Sequence, residues 1–310
     1  MDDEDLVLPA DDKSFEEFKR LCREEDQWME CYNKKGIRVC TKPEGNSNIK
    51  LMRAKTIFTD VRASTVFDVV HDTDYRREWD KDMIDIYDIC KLCVNNTVGY
   101  YAVKCPTPIK NRDCVFLCSW IAYPNIRDPK EYIMINKSVT HKDHPPKSNI
   151  VRAISIVTGY LIRPLGEFKT EFTYLTQFDP RGSLPKWVVN TITQLFTPKV
   201  IHRIHKASKR YPAWKSKHNE NLKPWLWPEQ NRLPQADLSK LSAKVEKVDV
   251  IDETNIKCAD NIQSINNNDD STLNSDSESD DINKKEMSLA KSKKKSAKAK
   301  GKVQANGNGV

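Results

Sequence analysis

Arg76 and Asp80 stand four residues apart in the run Tyr75-Arg-Arg-Glu-Trp-Asp80. If that run is helical the two side chains meet, because residues four apart share a helix face. Val69, Val70 and Trp79 are apolar neighbours, so the pair is expected to be partly enclosed. An enclosed guanidinium needs an anionic partner, and its planar donor fork matches both carboxylate and phosphate oxygens. The chemistry on offer is anion recognition. From these residues alone, an ordinary surface ion pair beside a packed tryptophan is the competing account.

Other constellations offer less. His202 and His205 are three residues apart, but their neighbours are basic and no carboxylate stands nearby in sequence. Cys90-Lys-Leu-Cys93 has the spacing of a zinc half-site, with Cys114 and Cys118 following. A strand-like run separates residues i and i+4 by roughly 13 Å, too far for the second half of a tetrahedral site. Free thiols and no metal are therefore expected. There is no nucleophile elbow, no phosphate-gripping glycine loop and no His-Glu-x-x-His helix. Neither an enzyme nor a cofactor is expected.

The elements that must position Arg76 follow from periodicity. Ser14-Phe-Glu-Glu17 reads as a capping box opening a helix to about residue 25. Strand-like runs cover 37–39 and 51–58, and short helices cover 63–71 and 73–79. From there to residue 178 the chain is mostly strand: 84–89, 97–103, 114–123, 132–139, 149–158 and 170–178 alternate between turn-prone segments. A long amphipathic helix then opens near Pro185, with Trp187, Val188, Ile192, Leu195 and Phe196 on one face. Pro198 should kink or restart it, and Val200, Ile201, Ile204, Ala207 and Tyr211 continue the apolar face. An α+β fold is predicted, a curved antiparallel sheet closed by a long C-terminal helix.

Charge divides the chain. The net charge of +7 over 310 residues resolves into blocks of −8 at 1–30, +8 at 184–228, −8 at 229–283 and +8 at 284–302. No Phe, Trp or Tyr occurs after residue 230, so nothing there offsets the entropy of ordering a packed core. The expected organisation is an acidic segment at 1–11, a folded domain at 12–228 and a disordered tail at 229–310. No run approaches the ~18 apolar residues of a membrane helix. The opening Met-Asp-Asp-Glu-Asp is unlike a secretory signal, so a cytoplasmic protein is expected.

The chain resembles the StAR-related lipid-transfer (START) family, in its phosphatidylcholine-transfer-protein-like branch. Asp74-Tyr-Arg-Arg-Glu-Trp-Asp80, Tyr100-Tyr-Ala-Val103, Pro106-Thr-Pro-Ile-Lys-Asn-Arg-Asp113, Val151-Arg-Ala153 and Pro185-Lys-Trp-Val-Val-Asn190 carry that resemblance in order. It implies a helix-grip fold whose sheet and C-terminal helix enclose one lipid. It further implies that Arg76 contacts the lipid phosphate, that Asp80 orients Arg76, and that Tyr101 and Val103 line the headgroup region. Three headgroup positions depart from the phosphatidylcholine-binding pattern, where Cys114, Asp82 and Val70 replace aromatic residues. Fewer aromatic faces weaken choline selectivity, and Asp82 is expected to accept hydrogen bonds from an ethanolamine ammonium.

The implied function is binding and transfer of a glycerophospholipid, phosphatidylcholine or phosphatidylethanolamine, by a monomer that contacts cytosolic membrane surfaces transiently. Trp187, Lys199, Arg203, Lys206 and Lys209 are the membrane-docking candidates. Ser275 and Ser277 each precede an acidic residue by three positions and fit an acidophilic Ser/Thr kinase. The rival readings are a lipid sensor or scaffold with little transfer, and an enzyme using the same cavity. Specific nucleic-acid binding is not expected, because the lysine-rich terminus lacks interleaved aromatics.

Overall fold

A computed structural model describes residues 5–44, 47–123, 129–245 and 251–257. The elements run α1 (Asp12–Arg23), β1 (Met29–Lys34), β2 (Ile37–Glu44), β3 (Ser47–Phe58), α2 (Ala63–His71), α3 (Thr73–Trp79), β4 (Met83–Cys90) and β5 (Asn96–Val103). There follow β6 (Arg112–Tyr123), β7 (Glu131–Ser138), β8 (Thr140–His141), β9 (Val151–Arg152), β10 (Ile154–Gly166), β11 (Lys169–Asp179) and β12 (Gly182–Ser183). The closing helix comprises α4 (Lys186–Thr191), a π-helical turn (Ile192–Phe196) and α5 (Thr197–Lys215). Two short strands, β13 (Leu241–Ser242) and β14 (Ile251–Asp252), come last. The α+β expectation holds.

The main sheet is antiparallel in the order β1-β2-β3-β11-β10-β7-β6-β5-β4, with β9 added in parallel to β6. Side chains alternate between its faces, so each face builds its own core. On one side Ala54, Phe58, Cys118, Trp120, Tyr132, Tyr160 and Phe172 pack with α2, α3 and α5. On the other, α1 packs Phe15, Phe18 and Leu21 against Leu51, Ile133, Leu161 and Leu175. Gly159 permits that approach: a Cβ there would collide with Met134 O and the Phe18 ring.

Two expectations change. Helix α1 begins at Asp12, and its cap is Asp11, whose carboxylate accepts from Ser14 N at 2.8 Å. Glu17 pairs with Arg20 at 2.6 Å and does not reach back as a capping box requires. An ionised acceptor three residues upstream of Ser14 outcompetes a hydroxyl for the orphan amides. The α-helix restarts around Pro198 as expected: α5 opens at Thr197 with Pro198 in its first turn, and the π-turn at Ile192–Phe196 precedes it. Thr191 Oγ1 bonds Trp187 O, Thr193 Oγ1 bonds Val189 O, and Thr197 Oγ1 bonds Ile192 O, satisfying carbonyls along the altered turn.

The boundary expected at residue 228 also moves. Residues 233–242 run back along the sheet, where Leu241 packs with Val7, Val98, Tyr100 and Val115 and β13 pairs with β8. Further on, β14 pairs in parallel with β12, and Glu253 forms a buried ion pair with Arg112 at 2.6 Å. Residues without aromatics are held here by backbone pairing, by Leu241 packing into the domain's core and by ion pairs that include Arg112–Glu253, Lys240–Asp143 and Lys244–Asp5, not by a core of their own. Residues 258–310, including Ser275 and Ser277, lie outside the described residues. Among the described residues no helix is long and apolar enough to cross a membrane.

Candidate functional site

Helix α3 sets the site. Asp72 caps it, accepting Tyr75 N at 3.0 Å, and the second turn carries Arg76. Tyr75 OH donates to Ala207 O at 2.8 Å and ties α3 to α5. Asp72 also accepts from Tyr211 OH and Lys215 Nζ, both at 2.9 Å, so one buried carboxylate joins α3 to the end of the closing helix.

Arg76 and Asp80 meet as their spacing predicts. Arg76 Nε donates to Asp80 Oδ2 at 3.1 Å, and Tyr101 OH donates to the same oxygen at 3.1 Å. The Asp80 side chain is 4% exposed and that of Arg76 is 17% exposed. The guanidinium lies 5.1 Å from the Tyr101 ring centre and 5.4 Å from that of Trp79. Burial works against the Arg76 charge, but Tyr160, Asp80 and Tyr101 outweigh it and raise its pKa above the ordinary value. Burial, with Asp80 adding, pushes the Tyr101 phenol well above its usual range, so it is a hydrogen-bond donor at neutral pH. Asp80 engages only Nε. Among the described residues, the two Nη groups of Arg76 have no hydrogen-bonded partner.

The sheet face around this pair is mixed. Cys114 is opposite Tyr101 in the β5–β6 register and buried, and burial raises its thiol to about 12. Val103 lies two residues along from Tyr101 on the same face and is half-buried; Val70 is buried on α2. Tyr160 and Tyr174, which sequence reasoning did not single out, lie with their ring centres 5.5 Å apart, tilted by 31°, and interact electrostatically with Arg76. Their alternation was visible in the sequence, but which face it served depends on long-range register. Trp79 Nε1, beside the guanidinium, is buried without a hydrogen-bond partner. The arrangement is an anion receptor: a fixed guanidinium with open donors, walled by tyrosines.

Other candidate positions fall elsewhere. Asp82 pairs with Arg203 on α5 at 2.6 Å, so the carboxylate expected to receive an ethanolamine ammonium is already engaged. Lys209 pairs with Asp60 at 2.8 Å, and Trp187 Nε1 donates to Ile256 O at 2.9 Å. Lys199 and Lys206 are half-buried. The basic face of the closing helix is thus partly neutralised by acidic loops at Asp60 and Asp82, which tertiary folding brings to it. The cysteines once weighed as a metal set are split, Cys90 packing with Val98 on one side of the sheet and Cys118 with Trp120 on the other. A register shift between Asp88 and Cys90 divides them.

The family profile of the START domain matches residues 10–214, which contain Arg76, Asp80 and the tyrosines around them. The chain belongs to the START domain family. Mouse START domain-containing protein 10 is 42% identical over 250 residues, covering 80% of this chain and 84% of that protein. The crystal structure of human STARD10 superposes with a TM-score of 0.72 at 42% identity, covering 78% of this chain and 98% of that one. Bovine phosphatidylcholine transfer protein is 25% identical over 206 residues, covering 64% of this chain and 95% of that protein. The residues beyond 214 that pack on this START domain therefore lie outside the family profile.

Proposed function

We propose that this START domain binds one glycerophospholipid, phosphatidylcholine or phosphatidylethanolamine, and carries it between membranes without acting as an enzyme. The observation that carries the reading is Arg76, enclosed yet with both Nη groups unpaired. A phosphate diester supplies the oxygens that these donors lack, through short charge-assisted bonds. Asp80 orients the guanidinium and limits the cost of an unpaired charge when lipid is absent. The likeness to phosphatidylcholine transfer protein supports the cargo class.

Transfer needs an opening. The end of the closing helix is anchored by the Asp72 pairs, whereas its first half carries the π-turn, so the first half is the proposed gate. Membrane approach is proposed at the β10–β11 tip, where Leu165 and Phe168 are 43% and 50% exposed. Arg62 covers Phe168 at 4.5 Å from the neighbouring loop, the same loop whose Asp60 holds Lys209.

Native mass spectrometry of the purified chain, followed by lipid extraction, tests the cargo. A one-to-one phospholipid adduct is expected, and Arg76→Leu should lower its occupancy at least tenfold. Undiminished loading of the variant would overturn the phosphate role. Vesicle-to-vesicle transfer kinetics then separate a carrier from a sensor, since a sensor retains lipid without exchanging it.

A further inference from the structure

Asp88 lies on β4, directly opposite Gly99 and two residues along from the Ile86–Tyr101 pair. It therefore shares a sheet face with Tyr101 as its diagonal neighbour, about 7–8 Å away between Cα atoms. Gly99 has no side chain to fill the space between them; the Phe116 ring lies over it, 3.0 Å from where a Cβ would stand. Asp88 is among the exposed residues, so its carboxylate is open to a ligand. Desolvation, reinforced by Asp74, pushes its pKa up to about 6.

This carboxylate has little to satisfy it. Thr73 Oγ1 at 3.5 Å is its side-chain hydrogen bond, and no cation pairs with it among the described residues. Arg77, near enough to influence it, instead donates to Ile86 O. A carboxylate that the fold has given no cation can take one from a ligand.

We propose that Asp88 is a specificity-determining residue for the headgroup, favouring a lipid whose ammonium carries N–H donors. The inference rests on the reading that Arg76 holds the phosphate. With the phosphate there, the amine stands one two-carbon arm away, on the face that Tyr101 and Asp88 share. A primary ammonium donates hydrogen bonds to a carboxylate. A trimethylammonium cannot, and is held by aromatic faces instead. Two of the nearest rings, Trp79 and Tyr101, already have Arg76 across them. With two of its rings taken up by Arg76, the site adds a carboxylate that has no protein cation, which suits a primary amine.

The test compares full-length wild type, Asp88→Asn and Asp88→Glu, each offered phosphatidylethanolamine vesicles and phosphatidylcholine vesicles separately, with loading read by native mass spectrometry. The ethanolamine-to-choline loading ratio should fall at least fivefold in Asp88→Asn and stay near wild type in Asp88→Glu. Asp88→Asn is isosteric and changes an exposed side chain, so it should fold, as a melting curve would confirm. A ratio unchanged in Asp88→Asn, or equal loss of both lipids, overturns the inference while leaving the phosphate reading intact. Wild type that loads neither lipid overturns the phosphate reading, and this inference with it.

Discussion

At the scale of single residues, enclosure sets the behaviour of the charged and titratable groups. His71 shows this outside the lipid site. It sits among Phe67, Trp120 and Trp225, with Nδ1 3.0 Å from Phe67 O and Nε2 without a partner. Burial lowers its pKa to about 3, against 6.5 ordinarily. The unfolded chain therefore binds a proton that the folded chain refuses between pH 6.5 and 3. Stability present above pH 6.5 should be lost as pH falls through that window. Melting temperatures from pH 7.5 to 4 check this: His71→Phe should flatten the decline, and an unchanged slope would assign it to another group.

At the scale of elements, the closing helix is held by specific charges as well as by its apolar stripe. Ile201, Ile204, Ala207 and Tyr211 fill the core, as their spacing predicted. The stripe alone would not fix where the helix ends. Lys215 and Asp72, 8% and 5% exposed, do so at 2.9 Å, and Lys223 reaches Asp68 at 2.7 Å just beyond. Lys215→Met leaves Asp72 with only Tyr211 and the Tyr75 amide. Removing one partner of a buried pair typically costs about 3–5 kcal/mol, and denaturant unfolding should show a loss in that range. A change under ~1 kcal/mol would show that the pair does not anchor the helix. Lipid exchange by the same variant should become faster, since the anchored end is loosened.

At the scale of the whole molecule, the described residues that follow the closing helix, up to Lys257, belong to the domain. Arg112 and Glu253 are 2% and 4% exposed and lie 141 residues apart in sequence. Arg112 also donates to Pro180 O and Lys110 O, and Glu253 accepts Lys110 N, so the pair joins strand, loop and returning chain. Glu253→Ala should destabilise the protein by about 3 kcal/mol, a fall of roughly 6–12 °C in melting temperature. The double variant Arg112→Met, Glu253→Met should recover much of that loss, because it leaves no buried charge unpaired. Failure to recover would show that the charge pair specifies the return of the chain and not merely its stability.

Local pattern made much of this legible. The helices at 63–71 and 73–79, most strand runs to residue 178, the apolar stripe of the closing helix and the Arg76–Asp80 pair follow from spacing within a few residues and emerge where spacing placed them, whereas the run at 149–158 splits into β9 and a β10 that continues to Gly166. Other features needed contacts across long stretches of chain. Arg203 reaches Asp82 over 121 residues, which takes a headgroup candidate out of use and neutralises a docking candidate together. Glu253 returns from a segment whose composition signals disorder, because composition reports what a segment can bury by itself and not what a finished domain offers it. Asp88 and Tyr101 share a face only because β4 and β5 pair in one register and not the next. Sequence alone determined which residues could bind an anion and which elements would carry them. Tertiary structure decided which charges remained free to do so, since a charge is available to a ligand only when the fold has brought it no partner.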